Sequence, residues 1–498
     1  MNSKTYFSVV LGIVLAKIVG FSRDIFFANF YGTGVTADVY FQIFSVASLI
    51  FTSIGGALST RVIMNLNKEE NRGGDRQKAY VSFFLKRTTM YILAATGLLY
   101  VGARPLARLL LPEITGANFE LAVRLTYIML PSFLFVVVAH VMTGILQNSR
   151  VFFIPSIVSL PYNIIIIASL FIPNVKIEQI GLATTVGWLL HIVIQLPDFY
   201  RKGYRFLYRG KERIEYKRGR IDYSIWWIFL SNLMFQLCFI IDKIFVSGEA
   251  GQAATINYAS NLFTTVSSVF VVAMSSIVFP SISRNYEEGR LGFVRELIGY
   301  VISIMFAVFV PYLLVVTLFG EQLIGFLYER GEFTGESTIL TALIFTIYCF
   351  SILGYLAQQL INKVLYLASR YDYTLIGTVV VLALKVICNS IFVPKYGTVA
   401  AAVTTTILLT LYAVMALIVL RKIIGKFFTK TLAANIGKVF AAGGAALIVY
   451  YVLYMIMPGV VTSREIVFVI PIAVCGVVYL GVAFVLGLHK QLFKNFSK

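Results

Sequence analysis

Apolar residues run along this chain in blocks of about 20, divided by short stretches that collect the lysines, arginines, glycines and prolines. A helix rises 1.5 Å per residue, so about 20 such residues cross roughly 30 Å of hydrocarbon. On that scale the pattern predicts about 14 spanning helices. They start near residues 6, 37, 81, 121, 151, 178, 224, 257, 296, 338, 373, 397, 436 and 465. No stretch remains for a soluble domain of useful size. The expected fold is an all-α polytopic membrane protein.

Composition agrees with the pattern. Of the 498 residues 59% are hydrophobic and 13% charged, with a mean hydropathy of +0.84, against about 25% charged in soluble domains. The net charge of +19 does not point to nucleic acid, because the cations fall in short loops. Their side-to-side imbalance fits an even number of spans with both termini in the cytoplasm. The densest basic segment, RKGYRFLYRGKERIEYKRGR (201–220), reads as a solvated loop against anionic headgroups. A docking site for a cytoplasmic enzyme or an anionic substrate is the alternative. Cys238, Cys349, Cys388 and Cys475 lie in apolar segments without CxxC spacing, as packing cysteines do. MNSKTYF leads into the first apolar run without a small-residue cleavage site, so that run is read as the first helix of the protein.

The two sides of the basic loop look like copies. Shifting the sequence by 218 residues sets Phe21 on Phe239, Asp24 on Asp242, Phe27 on Phe245 and Tyr40 on Tyr258. The same offset lays NKEENR (67–72) on NYEEGR (285–290), and FIPNVKIEQIGLATTV (171–186) echoes FVPKYGTVAAAV (392–403). Internal repeats are common in transporters, with the substrate path between the halves. The expected organisation is a six-helix lobe over 1–200, a basic cytoplasmic loop over 201–223, and a second six-helix lobe over 224–425. Two extra helices and a cytoplasmic tail follow over 426–498.

Enzymatic and metal chemistry find no support. The chain has no GxxxxGK[ST] loop and no HExxH, and His140, His191 and His489 are scattered. The two histidines within spans read as satisfied packing residues. Neither a catalytic constellation, a metal site nor a cofactor is expected. Charges inside the spans carry the functional signal, since each is costly there and faces a bundle interior or a wet cavity. Span one carries Lys17, Arg23 and Asp24, and span two has Asp38 and Arg61 at its ends. Asp242 and Lys243 come late in span seven, and Lys385 lies in the middle of span eleven. Lys17, Gly20 and Asp24 share one helix face, with Arg23 partly off it. Lys86, Arg87, Arg124, Lys438 and Arg61 lie near span ends, where long cationic side chains reach the headgroups. For Asp24 and Asp242 a helix-end cap or a paired neighbouring cation competes with a functional role. Lys17 and Arg23 read as a site for a phosphate-bearing, membrane-resident substrate.

The stretch KIVGFSRDIFFANFYGTGVTADVYF resembles the opening of the MurJ/MviN lipid II flippases, in the multidrug/oligosaccharidyl-lipid/polysaccharide exporter superfamily. GLATTVGWLLHIVIQLP (181–197), IVFPSISR (277–284) and LYERGEFTGEST (327–338) are similar to later family segments. The resemblance covers about residues 5–425 and fits a 14-helix plan. It implies alternating access between two six-helix lobes around a cationic cavity that holds the pyrophosphate of an undecaprenyl-linked saccharide. Lys17 stands where the family usually has Arg, while Arg23, Asp24 and Asp38 match directly. Ile50, Phe51 and Thr52 fall near a cationic pair of the family, and Asn261 near a further cavity arginine.

The resulting expectation is a flippase moving lipid II from the inner to the outer leaflet of a bacterial cytoplasmic membrane, serving peptidoglycan synthesis and cell shape. Lys17, Arg23, Asp24, Asp38 and Asn261 are the candidate substrate-binding residues, and Asp242, Lys243 and Lys385 the candidates for coupling or gating. The absent arginines keep a capsule, O-antigen or teichoic-type lipid-linked oligosaccharide as the alternative cargo. A cation-coupled multidrug exporter and a scaffold for envelope synthesis enzymes are the other classes. The partners expected are the lipid-linked saccharide and membrane lipids.

Overall fold

A computed structural model of the chain describes residues 3–70, 75–208, 223–274, 278–456 and 464–488. Most of the basic loop (209–222) and the tail 489–498 lie outside the described residues. Every regular element among those described is helical. The chain opens with α1 (Ser3–Tyr31), α2 (Val35–Ser45), a π-helical segment Val46–Phe51 and α3 (Thr52–Glu70). Next come α4 (Arg76–Val101), α5 (Ala103–Leu110), α6 (Gly116–Met129), α7 (Ser132–Asn148), α8 (Phe153–Ile157), α9 (Leu160–Leu170) and α10 (Ile177–Arg201). Beyond the basic loop lie α11 (Tyr223–Phe245), α12 (Gln252–Ala273), α13 (Phe279–Glu287), α14 (Leu291–Tyr328), α15 (Gly335–Phe350) and α16 (Ile352–Leu367). The chain closes with α17 (Tyr371–Ile424), α18 (Lys430–Ile456) and α19 (Arg464–Val485).

Each predicted span begins inside one of these helices or just ahead of one. Among the described residues seven helices are long and apolar enough to cross a membrane, or nine if each sharply bent pair is one span. The eleventh and twelfth predicted spans share α17, which breaks at Gly397 (φ +59°) shortly after Pro394. Proline removes a helical donor and glycine accepts the left-handed backbone, so the break sits where the sequence is weakest as helix.

Two compact units form. The first comprises Met1–Tyr258, Tyr328–Ser337 and Lys385–Ala401, and the second Ala259–Leu327, Thr338–Leu384 and Ala402–Lys498. In the first unit, α3 and α7 pack closely. Gly55 lies against the His140 ring and Gly144 against Ser59, so the absent side chains set the approach. Val62, Leu66, Val81, Leu85, Met142 and Phe199 form a buried apolar cluster beside that seam. In the second unit, α18 and α19 pack through Ala442, Ala446 and Tyr479, and the Tyr479 hydroxyl donates to the Ala307 carbonyl at 2.7 Å.

Three chain turns interlock within the first unit. Asp38, on the first turn of α2, accepts from the backbone N–H groups of Gly251 (2.5 Å) and Ala254 (2.6 Å). Those are donors that the start of α12 leaves without helical partners, so the carboxylate caps a helix from a distant part of the chain. Glu332 N–H donates to the Asn29 carbonyl at 3.0 Å, and the Thr33 and Ser337 hydroxyls meet at 2.6 Å. Gly251 has φ +84° and Gly32 φ +51°. A Cβ at Gly251 would strike the Thr33 carbonyl, and one at Gly32 the Glu332 carbonyl. Both positions therefore demand glycine twice over, for conformation and for space.

Gly251→Ala is expected to lower stability by about 2 kcal/mol or more, from left-handed strain plus the collision. Thermal unfolding of the purified protein in detergent checks this, and an unchanged midpoint would remove the interlock as a structural constraint.

Candidate functional site

On α1 the first candidate cation, Lys17, is exposed and has neither an ion-pair nor a hydrogen-bond partner among the described residues. Six residues on, about 9 Å along the axis, Arg23 is half-buried and Asp24 buried. Neighbours at i and i+1 point away from each other on a helix, yet here they meet because the arginine curls back. Its Nη2 lies 2.6 Å and its Nε 3.0 Å from the same Asp24 oxygen, Oδ1. The guanidinium also rests over the rings of Phe44 (5.3 Å) and Tyr162 (5.8 Å), and Nη1 reaches the Tyr162 hydroxyl at 3.5 Å. Gly20, one turn earlier, faces Asn163 of α9. An arginine braced by two aromatic faces and one carboxylate oxygen is pre-oriented, and its charge stays local.

The charges on α11 have other partners. Asp242 is completely buried and meets Lys385 Nζ at 2.5 Å, with Asn389 Nδ2 donating to the same oxygen at 2.8 Å. Lys385 also donates to the Ala401 carbonyl at 3.0 Å. Lys243 is buried as well and donates to the hydroxyl of Ser45 (2.7 Å) and the carboxamide oxygen of Asn257 (2.6 Å). Ser45 immediately precedes the π-helical segment, so span seven holds span two at the point where its helical register changes. Such segments recur at functional sites.

The structure thus brings Arg23 together with Asp24 and Asp242 together with Lys385. Both Asp38 oxygens accept from the start of α12. Asn261 is half-buried in the second unit, where its backbone carbonyl accepts from the Thr264 hydroxyl at 3.1 Å. Phe44, Ser45, Tyr162, Asn257 and Asn389 were not singled out in the sequence. Asn389 alone carries a readable signal, being polar in an apolar run and one turn beyond Lys385. Of the two span histidines, His140 is satisfied by the Val136 carbonyl at 2.9 Å. His191 packs on Trp188 and Tyr162, but its Nε2 has no partner among the described residues. No cluster of three or more candidate metal ligands forms among the described residues.

Comparison with known proteins sets this geometry in context. The profile of the family described as "Lipid II flippase MurJ" matches residues 27–470. The "Probable lipid II flippase MurJ" of Buchnera aphidicola subsp. Schizaphis graminum is 23% identical over 404 residues, spanning 78% of this chain and 77% of that protein. The "Lipid II flippase MurJ" of Burkholderia cenocepacia is 23% identical over 407 residues, 77% of each chain. Among solved structures, "Lipid II flippase MurJ, inward closed conformation" superposes with a TM-score of 0.80 at 20% identity, covering 98% of this chain and 99% of that one. An inward-facing MATE family multidrug transporter of the MOP superfamily superposes with a TM-score of 0.65 at 14% identity, covering 84% and 98%. The two superpositions show a shared transporter fold. With the family profile running through all but the two ends of the sequence, the chain belongs to the MurJ family of lipid II flippases.

Proposed function

We propose that this chain moves lipid II, an undecaprenyl-pyrophosphate-linked saccharide, from the inner to the outer leaflet of a bacterial cytoplasmic membrane. Transport would proceed by alternating access of two lobes, 1–200 and 224–425, with both termini cytoplasmic. The observation that carries this reading is that α1 bears both Lys17, exposed and without a partner among the described residues, and an aromatic-braced Arg23. A pyrophosphate crossing hydrocarbon needs charge-assisted donors, and these two cations on one helix would supply them. Lys17 is the open contact. Arg23 joins it when Asp24 yields the guanidinium. With the N-terminus inside, the interlocked turns around Asp38 fall at the outer end of the spans, where they would close that side against leakage. No reaction is catalysed on this reading, and the residues only bind and release.

A second cargo has one specific observation in its favour. Ile50 and Phe51 lie in the π-helical segment without a cation, and Asn261 carries none. A site with fewer cations suits a lipid-linked oligosaccharide of the capsule, O-antigen or teichoic type. Liposomes loaded with labelled lipid II or with another undecaprenyl-linked oligosaccharide separate the two. Lipid II exchange is expected in the wild type, falling about tenfold or more in Lys17→Ala/Arg23→Ala through loss of charged hydrogen bonds. Exchange of the other lipid alone would change the pathway, and movement of a cationic dye alone would return the chain to the drug-exporter class.

Asp242 and Lys385 serve in this scheme as a coupling element rather than a substrate contact. Removing one member of a buried pair strands the other charge and costs about 3–5 kcal/mol, whereas removing both together is far milder. Lys385→Met should therefore unfold readily, and Asp242→Asn/Lys385→Met should recover the thermal midpoint. We expect that double variant to lose the response of lipid exchange to an imposed voltage or ion gradient. A double variant with wild-type response would make the pair purely structural.

A further inference from the structure

We infer that one face of α10 sets the position of the Arg23 guanidinium, because Thr184 and Gly187 fix the two aromatic arms that brace it. The inference rests on the reading that Arg23 meets the substrate phosphate, and it makes Thr184 and Gly187 positioning residues for that contact.

Between Glu178 and Asp198 this helix carries no Asp, Glu, Lys or Arg, so nothing in its charges points to a substrate. Thr184, Gly187, Trp188 and His191 nevertheless follow the i, i+3, i+4, i+7 spacing of a single helix face. One arm runs from that face through Tyr162 of α9. The Tyr162 ring packs on Trp188 (centroids 4.8 Å apart) and edge-on to His191 (5.5 Å). Gly187 lies so close that an added Cβ would come within 2.7 Å of the same ring. Held in this slot, Tyr162 presents its ring to the guanidinium at 5.8 Å and its hydroxyl oxygen to Nη1 at 3.5 Å.

The other arm runs through Tyr40 of α2. The Thr184 hydroxyl donates to the Ile180 carbonyl one turn back at 2.8 Å, which leaves its oxygen to accept from the Tyr40 hydroxyl, also at 2.8 Å. Tyr40 is buried and stacks on Phe44, with centroids 5.8 Å apart and the rings 16° from parallel. Phe44 is the second ring under the guanidinium, at 5.3 Å. Both braces of Arg23 therefore trace back to one turn of α10.

The different contacts of Arg23 decide what a phosphate would leave in place. A guanidinium offers N–H groups along its edges and a flat cationic face, and the two are used by different partners. Asp24 takes the Nε and Nη2 edge, and phosphate oxygens compete for such N–H groups. Ring contacts use the face instead, so Phe44 and Tyr162 keep hold of the arginine while its N–H groups change partner. Where the charge stands when the phosphate arrives is thus set by the rings, and through them by Thr184 and Gly187. A loosened ring lets the guanidinium spread over several rotamers, which weakens binding without removing the charge.

Full-length protein in liposomes, titrated with lipid II, tests the positioning. Thr184→Val keeps the shape of the side chain and removes the acceptor of the Tyr40 hydroxyl. It is expected to raise the half-saturating lipid II concentration about fivefold while the maximal exchange rate stays within about twofold, and Thr184→Ser should restore the wild-type value. Gly187→Ala, which displaces the Tyr162 ring, should shift half-saturation in the same direction. In an Arg23→Ala background Thr184→Val should add less than about twofold, because nothing is left to position. Wild-type half-saturation in Thr184→Val and Gly187→Ala, or an undiminished effect of Thr184→Val without Arg23, would overturn the positioning role alone. Wild-type half-saturation in Arg23→Ala, or a wild type that exchanges no polyprenyl-linked lipid, would overturn the phosphate reading of Arg23 and the inference with it.

Discussion

The cost of an uncompensated charge inside hydrocarbon organises this protein. Several kcal/mol attach to each buried ion that lacks a partner, and the described charges obey that constraint in distinct ways. Asp242 and Lys385 neutralise each other between helices. Asp38 spends both oxygens on the start of a distant helix. Lys243 makes do with a hydroxyl and a carboxamide, and Arg23 folds back onto its own neighbour. Of the candidate site charges, Lys17 is exposed and has no partner among the described residues, whereas Arg23, Asp24, Asp38, Asp242, Lys243 and Lys385 each have one.

That background separates charges whose bonds are committed to the protein from a cation that is exposed. An ion whose hydrogen bonds are all committed to the protein contributes to shape, and a new ligand must displace one of those bonds to use it. Asp242 with Lys385 and Asp38 with the start of α12 belong to this class. They join segments far apart in sequence, and Asp38 does so beside the glycine-demanding turn at Gly251. Arg23 lies between the classes. Its carboxylate partner is adjacent on the same helix, so the pair can separate without parting two helices.

Much of this was legible in the sequence, and the part that was not has a common physical cause. Apolar blocks of about 20 residues located the spans, because hydrocarbon thickness fixes their length and the breaks collect loop residues. The charges on α1 stood out because nothing in an apolar run explains them. The partners of the charges were hidden. Tyr162, Ser45 and Asn257 are ordinary in an apolar helix and gain their role only from tertiary contact. Asp38 was singled out through its match to the family motif, and the sequence could not show that its two bonds run to the start of α12, more than 200 residues away. The π-helical segment of span two and the shared helix α17 also escaped, since hydropathy records how apolar a run is and not how its backbone is wound.

The repeat makes the final distinction sharper. Asp24 and Asp242 fall on each other under the 218-residue shift, and each is buried and ion-paired in the C-terminal part of its helix. Asp24 takes its cation from the next residue, while Asp242 takes its cation from another helix, with Asn389 reinforcing the same oxygen. An intrahelical pair can exchange its partner at the cost of one side-chain rotation. An interhelical pair changes partner only if the helices move.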